Sequence, residues 1–287
     1  MRSLRPRVEK SRVPRNVPVL RIRRETPVFF IIPLGAKAGY GDWSVVESNL
    51  SRTLASVVGR EEGVHVFVVG HDRPAVDLLL DSQVTFIHAP TRVPKSASEK
   101  IADKHVKRRL AAVKIRETLS EPAIFFCLDA DDLVHHKLVS TLRRLRAGPG
   151  VIQSGWVLDL AAMLYSRRKN LNKVCGSTTF ATLRSADLPL DLNDTTALYS
   201  WLFEGPHAGL KTRAVERGLR PLEVRKPLVA YVVNHTESLW NSQTGRLRTH
   251  TTKPYSIRRE ATAEELRVNF GLDVADLSNP PSCVGSG

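Results

Sequence analysis

Three carboxylates stand close together in the sequence, directly after an unbroken apolar segment. Residues 123–128 read Ala-Ile-Phe-Phe-Cys-Leu, and Asp129, Asp131 and Asp132 follow them. Such a run predicts a buried strand, and open α/β sheets bind their ligands at the carboxyl ends of such strands. Asp129 and Asp131 alternate, so in extended backbone they point the same way, about 7 Å apart along the chain. Clustered carboxylate oxygens suit a hard cation, so the pattern predicts a Mg²⁺ or Mn²⁺ site.

A structural explanation of the same acids competes with this chemical one. Aspartate is a good helix cap, and a helix is predicted to begin near Val134. We favour the chemical explanation, because a divalent cation at this edge would neutralise a diphosphate leaving group. The chain lacks the Walker-type glycine loop with its lysine, which would otherwise hold phosphates.

The first half of the chain alternates apolar segments with helical patterns. Strands are predicted at 28–32, 64–69, 84–87 and 123–128, and helices at 43–58, 73–80 and 100–119. Asp42 is placed to cap the first of these helices, and a glycine-rich loop at 35–41 precedes it. The alternation favours an α/β fold, built from βαβ units in a mostly parallel sheet that is flanked by helices.

The second half of the chain is less regular. Strands are predicted at 151–158 and 228–233, and helices at 138–146 and after Thr262. A further helix is predicted from Asn193 or Asp194, which is interrupted at Gly205-Pro206 and continues over 208–217. We divide the chain into a disordered basic tail at 1–26, a domain at 27–260 with halves 27–135 and 136–260, and a C-terminal helix and flexible tail at 261–287.

These features resemble the GT-A glycosyltransferases, in particular the inverting family 2 type. The resemblance rests on the opening strand that ends in Pro33, the basic helix at 100–119 and the D-x-D-D motif at 129–132, and it covers about residues 27–240. It implies a GT-A, Rossmann-like sheet with an irregular acceptor-side second half. It also implies a metal-dependent enzyme that moves a sugar from a nucleoside-diphosphate sugar to a hydroxyl acceptor. That acceptor would be a glycan, a lipid-linked molecule or a small molecule, in glycan or polysaccharide building.

The same resemblance implies which residues hold the donor and the metal. Asp131 is implied as the metal ligand, and Asp129 as a residue near the ribose, the diphosphate and the metal. His235, after the last predicted strand, is implied as a further metal or phosphate contact. The divalent cation would be Mg²⁺ or Mn²⁺.

Further nucleotide contacts are expected at the ends of the first two strands and on the basic helix. Pro33 ends the first strand. The family usually shows two acids followed by Gly-Ser after the second strand, and Asp72 stands in that region here as a base or ribose contact. Lys104 and Arg108 are one helical turn apart, so they can reach a diphosphate together.

An inverting transfer also needs a general base that deprotonates the acceptor hydroxyl. The resemblance implies an acid on or before a helix about 60–90 residues after the D-x-D motif. Glu204, Asp191 and Asp194 fall in that window, and His207 stands close to Glu204. We rank Glu204 ahead of His207, and both ahead of Asp194, because the Gly-Pro break would place the first two in a cleft.

Positive charge is concentrated at the start of the sequence. Of a formal net charge of +14, residues 1–24 carry +8. Prolines interrupt this stretch and no apolar segment follows the charge, so a solvated disordered tail is predicted rather than a secretory signal. Peripheral contact with anionic membrane lipids is the functional alternative. Nucleic acid is not an expected partner, because no recognition motif or interleaved aromatic residue accompanies the charge.

The cysteines and the apolar segments indicate a location. Three cysteines at unrelated spacings form neither a disulfide framework nor a zinc motif. Apolar runs of about six residues are too short to span a bilayer. We therefore expect a cytoplasmic protein, with contact at the inner membrane face if the tail binds lipid. Two other functions stay open: a nucleotidyltransferase, and a non-catalytic basic protein that binds nucleic acid or a membrane surface.

Overall fold

The computed structural model describes residues 20–160, 162–233 and 259–272. The strands are β1 (Val28–Pro33), β2 (Val64–Gly70), β3 (Val84–His88), β4 (Ala123–Cys127), β5 (Leu133–Val134), β6 (Pro149–Ile152), β7 (Gly155–Asp159), β8 (Leu164–Arg168), β9 (Thr179–Leu183), β10 (Leu222–Val224), β11 (Val229–Val233) and β12 (Arg259–Glu260). The helices are α1 (Trp43–Ala55), α2 (Ala97–Thr118), α3 (Leu138–Leu142), α4 (Leu198–Phe203), α5 (Leu210–Glu216) and α6 (Ala263–Phe270).

The main sheet has seven strands in the order β10-β6-β9-β4-β1-β2-β3. Strands β3, β2, β1 and β4 pair in parallel, and β6 pairs in parallel with β10. Strand β9 is antiparallel to both of its neighbours, β4 and β6. The predicted α/β fold, with a mainly parallel central sheet and flanking helices, is confirmed.

Both faces of the main sheet are covered, which explains why β1 and β4 are apolar at every position. On β1, Phe30 and Ile32 pack into the core that contains residues of α1 and α3. Phe29 and Ile31 point to the opposite face and pack against residues of α2, α4 and α5. Successive side chains alternate between the faces of a strand, so an unbroken apolar run is what a doubly covered sheet requires.

A second, smaller sheet has the strand order β12-β8-β7-β11-β5, and α6 packs on it through Leu266 and Phe270. Strand β5 follows the acidic motif directly and pairs antiparallel with β11. The predicted helix start near Val134 is therefore wrong, because Leu133 and Val134 carry the chain into this sheet before α3 begins at Leu138.

Strand β9 is absent from the elements that the sequence predicts. The segment at 175–179 reads as a turn of small residues, and the structure continues it into a strand that is buried at all five positions. Its sequence, Thr-Phe-Ala-Thr-Leu, is too mixed to predict a buried strand by apolar content. Placement between β4 and β6 is what buries it, and that long-range pairing leaves no local signal.

Several predicted helices are shorter in the structure, and two of them show why. The interrupted helix begins at Leu198 rather than at Asn193 or Asp194, because the Asp194 carboxylate accepts the backbone N–H groups of Thr196 and Ala197 and so forms a turn. The predicted helix at 73–80 is a 3-10 helix over Asp77–Leu80.

Within the described ranges, no helix combines the length and the apolar character that crossing a membrane requires. Most of the predicted basic tail and of the C-terminal tail lies outside the described residues. The predicted division of the chain therefore stays a prediction.

Candidate functional site

Asp129 stands at the carboxyl end of β4, between two cations of α2. Its Oδ1 lies 2.7 Å from the Lys104 ammonium and 3.4 Å from a guanidinium nitrogen of Arg108. Its backbone N–H donates to the Ser177 hydroxyl at 2.9 Å. Burial by itself would raise the pKa of the Asp129 carboxyl, but Lys104 and Arg108 outweigh burial and hold that pKa below its usual range.

Helix α2 carries both of these cations to the sheet edge. It begins at a capping box in which the Ser96 side chain and the Glu99 carboxylate satisfy each other's backbone N–H groups. Lys104 and Arg108 lie one turn apart on the face toward β4. Only 6% of the Arg108 side chain is exposed, against 31% for Lys104. Within the described part of the chain, the buried Nε of Arg108 has no hydrogen-bond partner.

His207 lies near the same carboxylate, where the chain restarts after the break at Gly205-Pro206. Gly205 has a φ of +142°, which only glycine adopts without strain. The backbone of Lys173 hydrogen-bonds the imidazole, whereas the buried Nε2 has no partner among the described residues. The ring nitrogen bonded to Lys173 is therefore Nδ1. Burial lowers the pKa of His207, and Asp129 opposes that shift.

Asp132 has a structural role, because its hydrogen bonds connect separate segments of the fold. Its Oδ1 accepts the backbone N–H of Val232 on β11 at 3.1 Å, and its Oδ2 accepts the Ser177 hydroxyl and the Cys175 thiol. Burial, and then the negative charge of Asp131, raise the pKa of the Asp132 carboxyl well above its usual range. Asp132 thus joins the end of β4 to the second sheet and to the loop before β9.

Replacing Asp132 with alanine should cost about 2–4 kcal/mol of unfolding free energy, because the Val232 N–H and the Ser177 hydroxyl lose a buried acceptor. Asp132→Asn keeps one carbonyl oxygen and should cost less than half as much. Urea denaturation of both variants measures this. An Asp132→Ala variant as stable as the parent protein would contradict the joining role.

Glu204 is held by an ion pair. Its two carboxylate oxygens face the Arg109 guanidinium, with Oε1 at 2.8 Å from Nε. Arg109 also donates to the carbonyl of Leu192, which fixes the segment before α4. The pKa of Arg109 is raised, first by its hydrogen bond to Glu204. The predicted base Glu204 therefore neutralises the Arg109 cation of α2. The Asp194 carboxylate accepts the backbone N–H groups of Thr196 and Ala197 in the turn before α4.

The loops after β1 and β2 are tied to each other and to α2. The Asp72 carboxylate accepts the backbone N–H of Lys37 at 2.7 Å, so the predicted ribose contact holds the glycine-rich loop. The fully buried Lys107 ammonium lies 2.6 Å from the Leu34 carbonyl, directly after Pro33.

An acid on α2 completes this network. Asp103 lies 2.6 Å from the Lys107 ammonium and 3.0 Å from Nε2 of His71, which follows β2. Asp103 was not predicted as a functional residue, although its separation of four residues from Lys107 on a helix is visible in the sequence.

The predicted metal ligands do not form a cation site within the described residues. No group of three or more His, Cys, Asp or Glu side chains in those ranges is placed to hold a metal ion. Asp129 already binds the cationic side chains of Lys104 and Arg108. Its Oδ2 lies close to the Gly176 backbone, because a Cβ added to Gly176 would be only 2.6 Å from it. The donor set around Asp129 therefore does not fit Mg²⁺ or Mn²⁺. His235 lies outside the described residues, so the predicted metal site stays a prediction.

The structure thus brings together five of the residues that the sequence predicts. Asp129, Asp131, Lys104, Arg108 and His207 lie at or near the carboxyl end of β4. Asp72 and Pro33 belong to the neighbouring strand ends. Ser177 was missed, since its segment was predicted only as a turn that could shape the acceptor side.

Comparisons with known proteins add little. Neither the family models nor the curated proteins contain a match to this sequence. One similar solved structure is titled "Crystal structure of 4-diphosphocytidyl-2C-methyl-D-erythritol synthase". The alignment covers 70% of this chain and 89% of that chain, with 16% identity and a TM-score of 0.36. A similarity of that size assigns neither a family nor a function.

Proposed function

We propose that this protein is a GT-A glycosyltransferase, which moves a sugar from a nucleoside-diphosphate sugar to a hydroxyl acceptor. One observation carries the proposal. Asp129, at the carboxyl end of a central strand, is surrounded by two cations, Lys104 and Arg108, and by the His207 imidazole, which has an available nitrogen. This edge is where open α/β sheets bind nucleotides.

The donor would lie along this edge. Its diphosphate would face Lys104 and Arg108, since charge-assisted hydrogen bonds to a buried guanidinium are strong and directional. The loops that follow β1 and β2 would border the nucleoside, because Asp72 and Lys107 hold their backbones in place. Positioning and charge stabilisation of the leaving diphosphate are the contributions that these residues can make.

His207 would act as the general base. A neutral imidazole whose Nδ1 bonds a backbone group can accept the acceptor's hydroxyl proton at Nε2. Glu204 would be a less suitable base, since the Arg109 guanidinium occupies both of its oxygens. The proposed steps use no divalent cation, because the described residues do not supply its ligands.

Nucleotidyl transfer is the competing reaction at such a site. It would release pyrophosphate from a nucleoside triphosphate, whereas glycosyl transfer releases a nucleoside diphosphate from the donor. The glycine-rich loop would have to cradle a triphosphate, and in this structure Asp72 binds the Lys37 backbone N–H of that loop.

The two reactions differ in the product that they release. A thermal-shift panel of UDP-, GDP-, CMP- and dTDP-sugars, with EDTA or with Mn²⁺, first identifies the bound donor. With water in place of the acceptor, the protein should then slowly hydrolyse that donor and release its nucleotide. Lys104→Gln should lower that rate at least about tenfold, equivalent to about 1.4 kcal/mol of transition-state stabilisation.

Lys114→Gln provides the matched control on the same helix, because Lys114 is exposed and its ion pair among the described residues is with Glu117. It should keep the full rate. Pyrophosphate release from a triphosphate and a sugar phosphate would instead establish nucleotidyl transfer. If neither product formed from any donor tested, the proposal of an enzyme would be wrong.

A further inference from the structure

The inner face of α2 carries four cations whose acid partners are unequally shared. Lys107 pairs with Asp103, and Arg109 pairs with Glu204. Lys104 and Arg108, in contrast, share the single carboxylate of Asp129. Lys104 and Arg108 together therefore carry one positive charge more than the Asp129 carboxylate neutralises, at the edge of the sheet that solvent reaches.

Unpartnered polar atoms lie around the same pair. The Nε of Arg108 and Nε2 of His207 are buried and have no hydrogen-bond partner within the described ranges. Buried polar atoms are nearly always satisfied by protein, water or a ligand. His207 is close enough to Asp129, Lys104 and Arg108 for their charges to act on its pKa. The site thus has hydrogen-bonding capacity that Asp129 alone does not use.

We propose that Asp129 is a placeholder in an anion subsite formed by Lys104 and Arg108. In the free protein its carboxylate takes the position of a phosphate oxygen, and a diphosphate displaces it on binding, without a bridging divalent cation. This inference deepens the proposed function, because it names how that site would hold the donor's diphosphate. It departs from the metal-ligand role that the family resemblance implies for Asp129.

The two roles predict opposite effects of Asp129→Asn. A metal ligand that loses its charge binds the cation and the diphosphate less tightly. A placeholder that loses its charge releases Lys104 and Arg108, so the anion binds more tightly. If Asp129 is displaced from Lys104 and Arg108 in about a tenth of the free molecules, removing its charge raises the affinity for the anion about tenfold.

Calorimetric titration with inorganic pyrophosphate in EDTA tests the inference on the full chain. The parent protein should bind, Asp129→Asn should bind about tenfold more tightly, and Lys104→Gln should lose most of the binding. Lys114→Gln should match the parent protein. Weaker binding by Asp129→Asn, or binding that appears only with Mg²⁺ or Mn²⁺, would overturn the proposal.

A second variant covers the case in which Asp129→Asn does not fold. An alanine Cβ at Gly176 would lie 2.6 Å from Oδ2 of Asp129, so Gly176→Ala should push the carboxylate out of its position and also tighten pyrophosphate binding. Unchanged or weaker binding by a folded Gly176→Ala would count against the placeholder.

Pyrophosphate is not a sugar donor, so this test separates the two proposals. Tighter pyrophosphate binding by the variants with no donor turnover would leave the subsite standing and remove the proposed reaction. Donor turnover with weakened pyrophosphate binding by Asp129→Asn would keep the reaction and remove the placeholder.

Discussion

His207→Gln should lower the rate of glycosyl transfer by about 10²–10⁴-fold and leave the donor affinity nearly unchanged. Glutamine is polar and of similar reach, but its amide cannot take up the acceptor's proton. The donor's diphosphate would be held mainly by the charges of Lys104 and Arg108, so its binding should depend little on the imidazole. Steady-state kinetics that separate kcat from the donor KM measure the effect, with the nucleotide from the panel described above.

Glu204→Gln is the matched comparison, since the same replacement is made three residues earlier. Here the amide keeps one acceptor for Arg109 but removes the charge, so we expect a lower melting temperature rather than a specific loss of transfer. A large loss of kcat in Glu204→Gln with an active His207→Gln would make Glu204 the base, as the sequence alone predicts. Loss of donor affinity in His207→Gln would place His207 in the nucleotide site.

The sheet could be predicted because its central strands are buried on both faces. That burial demands continuous apolar runs such as 28–32 and 123–128, which the sequence displays directly. The start of α1 was equally visible, because the Asp42 side chain accepts the Ser44 N–H as a cap requires. The location of the candidate site follows from these elements, since acids after a buried strand must lie at the sheet edge.

The partners of the site residues could not be predicted in the same way. The sequence does not reveal that Lys107, Arg108 and Arg109 are among the buried residues of α2. Their burial depends on acids that lie 4, 21 and 95 residues away in the sequence. The pairings over 21 and 95 residues depend on the folded topology, and a single sequence contains no local pattern that reports them. For this reason the sequence ranks Glu204 over His207 without showing that Arg109 pairs with Glu204.

Lys107→Met should lower the free energy of unfolding by about 3–5 kcal/mol, the usual cost of breaking a buried ion pair by removing one partner. The Lys107 side chain is 1% exposed and that of Asp103 is 9% exposed, so water cannot replace the lost ammonium. Burial lowers the pKa of Lys107, and the hydrogen bond to Asp103 opposes that shift. The variant leaves the Asp103 carboxylate with His71 and Thr91, and leaves the Leu34 carbonyl without its donor.

Lys114→Met on the exposed face of the same helix is the control and should change stability by no more than about 0.5 kcal/mol. The double variant Lys107→Met/Asp103→Leu should recover part of the loss, because replacing both members of a buried pair with apolar groups removes the unpaired charge, although the Leu34 carbonyl still lacks its donor. Urea denaturation of the parent protein, Lys107→Met, Asp103→Leu and the double variant gives the coupling between the two positions. If the double variant lost as much stability as the sum of the two single variants, Lys107 and Asp103 would act independently. Recovered stability with weakened nucleotide binding would show that this pair positions the loops after β1 and β2 rather than merely supporting the fold.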